Sequence, residues 1–177
     1  FGWLTTTPQG VQLAYLGFHL GGRGAVTDFG PFEPSFSAVR NLSRVLIARD
    51  TGHAINLVGP PGVGKSAVAE VAAGLLGRPF TRISCSRSLT IDDLFGSYRP
   101  TLDPASGEIL FLFRQGPLAA AIEAEGLVLL DELNLAPADV LGVLCGLLSA
   151  SADEEYATRN QRLRRGRTVF VAAMNDV

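Results

Sequence analysis

Apolar positions along this chain switch repeatedly between helical spacing and short continuous runs. Val39, Leu42, Val45 and Leu46 lie on one helical face, with Ser35 or Ser37 placed to cap its start. Residues 54–58 then form a short apolar strand that feeds a glycine-rich loop. Ala67, Val68, Val71, Ala72, Leu75 and Leu76 return to helical spacing until Gly77 and Pro79 stop it. A second strand is expected from Phe80 to Ser84, and a short helix or turn over Asp92–Gly96. Arg99 to Phe113 reads as a hairpin, two β-prone arms around Asp103-Pro104-Ala105-Ser106-Gly107. A helix over 116–124 precedes a buried strand, Leu127–Leu130. Pro137 opens a further helix at its first turn, carrying Val140, Leu141, Val143, Leu144, Leu147 and Leu148. The polar stretch Ser149–Arg167 leads into a last strand, Thr168–Met174.

Alternation of strands and helices implies an α/β fold, a parallel sheet covered on both faces in a three-layer αβα sandwich. In such sheets ligands bind beyond the carboxyl ends of the strands. Composition agrees: 47% hydrophobic and 18% charged residues supply a core. No apolar run reaches the ~18 residues of a membrane helix. Net charge of −2 argues against a whole-domain grip on nucleic acid. Cys85 and Cys145 do not make a disulfide framework, which favours an intracellular, reducing compartment. Residues 1–34, rich in Gly, Pro and Thr, read as an irregular lead-in or the end of a preceding module. A start without Met and a stop at Val177 suggest a piece of a longer chain.

Of 15 basic residues only Lys65 is a lysine, and it sits in Gly59-Pro60-Pro61-Gly62-Val63-Gly64-Lys65-Ser66. This matches the phosphate-binding pattern in which glycines turn backbone N–H groups inward and a compact ammonium reaches the terminal phosphates. Gly59 through Ala67 are therefore the candidate nucleotide-binding residues, with Ser66 placed to reach Mg²⁺. Leu127-Val128-Leu129-Leu130 ends in Asp131-Glu132. Asp131 is expected to serve the metal and Glu132 to orient or deprotonate the attacking water. The last strand ends in Asn175, suited to contact the γ-phosphate or that water. Lys65, Glu132 and Asn175 are thus the candidate catalytic residues, and Ser66 and Asp131 the candidate metal ligands.

Together these motifs resemble the large subdomain of an AAA+ ATPase, with Walker A at Gly59–Ser66, Walker B at Asp131-Glu132 and sensor 1 at Asn175. Asp93-Leu94-Phe95-Gly96-Ser97, Gly116-Pro117-Leu118 and Asp131-Glu132-Leu133-Asn134-Leu135-Ala136-Pro137 resemble the dynein-related, midasin-like branch, which carries an insert where Tyr98–Phe113 stands. The resemblance covers residues 35–177 and implies a large subdomain without its lid. It implies Mg-ATP hydrolysis, neighbouring modules in a ring, and a protein or ribonucleoprotein substrate such as a pre-60S ribosomal particle. A nuclear or nucleolar location follows for a midasin-like module, and a cytoplasmic one otherwise.

Other readings compete. A bacterial AAA+ remodelling ATPase, or a nucleotide-binding module that does not hydrolyse, fits the same motifs. A GTPase does not, since a guanine-reading segment needs a second lysine. Arg159, Arg162, Arg164, Arg165 and Arg167 could touch RNA, although a solvated loop is the plainer expectation. Leu94-Phe95-Gly96 resembles a pore loop in composition, but packing is the better expectation. His19 and His53 lack metal-ligand spacing. Both cysteines are expected to pack as small hydrophobes.

Overall fold

A computed structural model describes residues 35–158 and 161–175, apart from the side chain of Asp50, and the backbone of three strands nearer the start. These strands are β1 (Trp3–Thr7), β2 (Gly10–Tyr15) and β3 (Phe18–Gly21). They pair antiparallel in the order β1-β2-β3. The irregular lead-in expected for residues 1–34 is therefore corrected in part. The β-branched run Thr5-Thr6-Thr7 and the alternating apolar and polar Val11-Gln12-Leu13 favour extended backbone and outweigh the surrounding glycines and prolines.

The remaining elements follow the sequence pattern closely. Helix α1 (Phe36–Thr51) starts at Ser35, whose Oγ accepts from the Ala38 N–H at 3.2 Å. It is followed by β4 (Ile55–Val58), α2 (Lys65–Leu76) and β5 (Phe80–Ser84). Gly77 ends α2 in the left-handed conformation, as a C-terminal glycine does. Then come α3 (Ile91–Phe95), the hairpin β6 (Gly96–Leu102) and β7 (Ile109–Gln115), and α4 (Pro117–Glu123). Strand β8 (Leu127–Asp131) runs into a 3₁₀ turn (Leu133–Leu135) and α5 (Ala138–Ser149). The segment expected to be a polar connection contains a second hairpin, β9 (Glu155–Ala157) with β10 (Arg162–Arg164). Strand β11 (Val169–Met174) closes the order.

Four strands form one parallel sheet in the order β4-β11-β8-β5. The central pair, β8 and β11, is buried on both faces, which is why each reads as an unbroken apolar run. Leu127, Leu129, Val169, Val171 and Ala173 face one cluster with α1 and α2. Val128, Leu130 and Phe170 face a second cluster with α3, α4 and α5. The sheet is thus the middle of three layers.

Two glycines close the neck of the β6–β7 hairpin. Gly96 has φ 110° and would place a Cβ 2.2 Å from the Arg114 carbonyl oxygen. Gly116 would place one 2.3 Å from the Leu94 carbonyl oxygen, and its N–H donates to Phe95 at 3.0 Å. Leu94 and Phe95 are buried, so the Leu94-Phe95-Gly96 segment packs into the core. The hairpin itself stands out from the body, leaving Leu102, Ile109, Phe111 and Leu112 exposed.

The arginine run divides. Arg162 and Arg164 approach Glu155 at 3.9 and 3.1 Å on the exposed hairpin. Arg165 is buried, donates to the carbonyls of Leu148, Ala150 and Gly52, and lies over the Phe170 ring. Burial lowers its pKa. Arg159 lies outside the described residues.

Candidate functional site

Parallel pairing sets the sequence motifs at one end of the sheet. Met174 stands level with Val58, and Ala173 level with both Leu57 and Asp131. Gly59 donates its N–H to Met174 at 3.3 Å, so the loop leaves the sheet beside β11. Gly62 and Gly64 both adopt φ 82°. A Cβ on either would meet nothing within 4 Å, so the turn itself, rather than space, demands glycine. Gly64 leads directly into α2. The unpaired first-turn N–H groups of that helix open on the loop, and their dipoles favour an anion there.

Lys65 folds back over the loop. Its Nζ donates to Gly59 O at 2.7 Å, Pro60 O at 3.0 Å and Asn175 Oδ1 at 2.9 Å. Asn175 in turn donates from Nδ2 to Glu132 Oε1. Lysine, amide and carboxylate therefore form one continuous chain across β4, β11 and β8. Glu132 has φ 55°, left-handed for a non-glycine residue. Such backbone is sparsely populated and costs on the order of 1–3 kcal/mol. The turn directs Glu132 toward Asn175 just where the buried strand ends.

A second chain runs beside the first. Asp131 is buried, and its Oδ2 accepts from Ser66 Oγ at 3.4 Å. The same oxygen accepts from Arg82 Nε at 3.0 Å and Nη2 at 2.5 Å. Oδ1 accepts from the Glu132 N–H at 3.1 Å. Arg82 was not among the candidates read from sequence. Its signal is register: Ser84 stands level with Asp131, and Arg82 two positions earlier carries a side chain long enough to reach it. Behind this pair lies Cys85, whose N–H donates to the Asp131 carbonyl at 2.8 Å. Burial, followed by the charge of Asp131, pushes its thiol pKa up. Cys145 departs from expectation, since it is exposed on α5.

All five side chains expected to carry chemistry, Lys65, Ser66, Asp131, Glu132 and Asn175, thus converge through direct hydrogen bonds. Pro60, Pro61, Gly62, Val63 and Gly64 line the exposed rim of the loop, Gly59 is buried at its base, and Ala67 lies in the first turn of α2.

Fold and loop together define a P-loop α/β ATPase domain of the AAA class. The family model for the AAA domain of the dynein-related subfamily matches residues 54–177, and the chain belongs to that family. It is 32% identical to midasin of Giardia intestinalis over 126 residues, which is 71% of this chain and 2% of that protein. Midasin of Dictyostelium discoideum is 36% identical over 112 residues, 63% of this chain and again 2% of the relative. An uncharacterized protein of Staphylococcus aureus is 31% identical over 66% of this chain and 43% of its own length. The chain therefore spans about 2% of the midasins and 43% of the staphylococcal protein. Among solved structures, a proposed ATPase from Cytophaga hutchinsonii superposes with a TM-score of 0.58 at 24% identity, covering 77% of this chain and 38% of that one. NtrX from Brucella abortus gives 0.55 at 21%, covering 84% and 32%. Both share the fold.

Proposed function

We propose that this chain is the nucleotide-binding part of a ring-forming mechanoenzyme that binds Mg-ATP and hydrolyses it. The carrying observation is the hydrogen-bonded line Lys65–Asn175–Glu132 beside the pair Ser66–Asp131, at the carboxyl ends of three adjacent strands. Residues Gly59 to Ala67 form the phosphate cradle. Its N–H groups come from Gly62 to Ala67, because Pro60 and Pro61 have none and Gly59 donates to Met174. Lys65 exchanges its loop carbonyls for phosphate oxygens. Ser66 and Asp131 fit Mg²⁺, which takes hard oxygens and prefers one or two protein ligands with phosphates and water completing the shell. When bound, the ion neutralises charge on the phosphate oxygens. Glu132 takes a proton from water as its oxygen attacks the γ-phosphorus; the bond to the bridging oxygen breaks, releasing ADP and phosphate. Asn175, holding Glu132, sets the direction of that attack.

Residues 35–177 would form the large subdomain, acting beside neighbouring modules of a ring. Similarity to midasins favours a substrate that is a protein or ribonucleoprotein, such as a pre-60S ribosomal particle, and a nuclear location. Similarity to the staphylococcal protein favours a second reading, a bacterial remodelling ATPase. Among the described residues no helix is long and apolar enough to cross a membrane. Glu132→Gln in the intact parent protein is expected to cut ATP turnover about 10²–10⁴-fold while leaving nucleotide binding in place. Unchanged turnover would remove Glu132 from the mechanism.

A further inference from the structure

Asp131 is a buried carboxylate, and a buried charge needs a partner. In this structure the partner is Arg82. The guanidinium does not straddle the two carboxylate oxygens. Its Nε and Nη2 both donate to Oδ2, the oxygen that also accepts from the Ser66 hydroxyl. The other oxygen is kept by the Glu132 N–H. Arg82 therefore stands on the Ser66 side of the carboxylate, where a divalent ion between Ser66 and Asp131 would have to make its contact. A guanidinium and a divalent cation cannot share that oxygen at close range without strong repulsion. The arginine can leave, because its side chain is 54% exposed and needs no rearrangement of the core to swing into water.

We propose that Arg82 is a resident counter-cation that competes with the metal for Asp131. It satisfies the carboxylate while the site is empty and is displaced when a divalent ion arrives with its nucleotide. The inference rests on the reading of Ser66 and Asp131 as metal ligands.

The test measures binding, not turnover. A fluorescent non-hydrolysable ATP analogue is titrated onto the chain in EDTA and again in saturating Mg²⁺. The ratio of the two affinities reports how strongly the bound complex holds the metal. Arg82→Ala and Arg82→Gln are each expected to raise that ratio roughly fivefold, the scale of a partly exposed ion pair. A purely structural role for Arg82 would lower both affinities together and leave the ratio unmoved, which overturns the proposal, as does a falling ratio. A failure of the unaltered chain to bind the analogue in either buffer would instead sink the ATP-binding reading, and this inference with it. Gln keeps much of the aliphatic stem, so agreement between the two variants separates loss of charge from loss of packing.

Discussion

Gly116→Ala tests whether the neck of the β6–β7 hairpin is as tight as its geometry implies. The added methyl would lie 2.3 Å from the Leu94 carbonyl oxygen, 2.5 Å from its carbon and 2.8 Å from the Gly96 nitrogen. All three are backbone atoms, so no flexible side chain can give way. Relief must come from moving α3 against α4, whose residues Leu94, Phe95 and Leu118 are buried in one cluster. Overpacking of a fixed interior typically costs ~1–3 kcal/mol, and the upper end applies where backbone must move. For a domain of this size about 3 kcal/mol corresponds to a Tm lower by ~6–12 °C. Gly142→Ala is the matched control. Gly142 is exposed on α5 and a Cβ there meets nothing within 4 Å. Removing backbone freedom from that helix should raise stability by ~0.5–1 kcal/mol. Thermal unfolding followed by circular dichroism reads both. If Gly116→Ala melts within about 2 °C of the unaltered chain, a shift set well below the ~6 °C expected for backbone overpacking, the argument from close approach is wrong.

Two further outcomes are expected. Lys65→Ala should abolish binding of the ATP analogue and Lys65→Arg should nearly do so, since a planar fork does not fit where a point charge reaches over the loop; tight binding by either would refute the phosphate-loop assignment. Asp93 should titrate below the ordinary carboxylate range, because the Thr90 hydroxyl and then the Thr90 N–H hydrogen-bond its ionised form. A depressed folded pKa contributes stability at pH above the ordinary value and loses it as pH falls through the lower one. Thr90→Ala should return Asp93 toward the ordinary value in a carbon-detected NMR titration and cost ~1 kcal/mol of capping. An unaltered chain in which Asp93 already titrates normally would contradict this.

Much of the fold was legible because its signals are local. The capped start of α1, the glycine stop of α2 and the unbroken runs of β8 and β11 each depend on residues close in sequence. The candidate site residues were legible as a cluster for the same reason: they lie where strands end or a helix opens, and parallel topology brings those ends together. What sequence hid depends on distant contacts. Arg82 gains its partner only through the register of β5 on β8, so nothing near it in the chain marks it. Arg165 looks like one more member of a basic run, yet the fold takes it inside and satisfies it with three carbonyls. The β9–β10 hairpin is masked by polar composition, because both strands face solvent over most of their length.

Asn175 has a consequence that its hydrogen bonds alone do not state. A neutral amide stands between the ammonium of Lys65 and the carboxylate of Glu132, and so keeps the two charges from closing on each other. Among the described residues the acceptors of Lys65 are two peptide carbonyls and that amide oxygen, all uncharged. No carboxylate among the described residues pairs with that ammonium, so on the proposed function an arriving phosphate would meet a cation already oriented by neutral acceptors. The resting site behaves as a held-open switch, with its two opposite poles kept apart by one side chain.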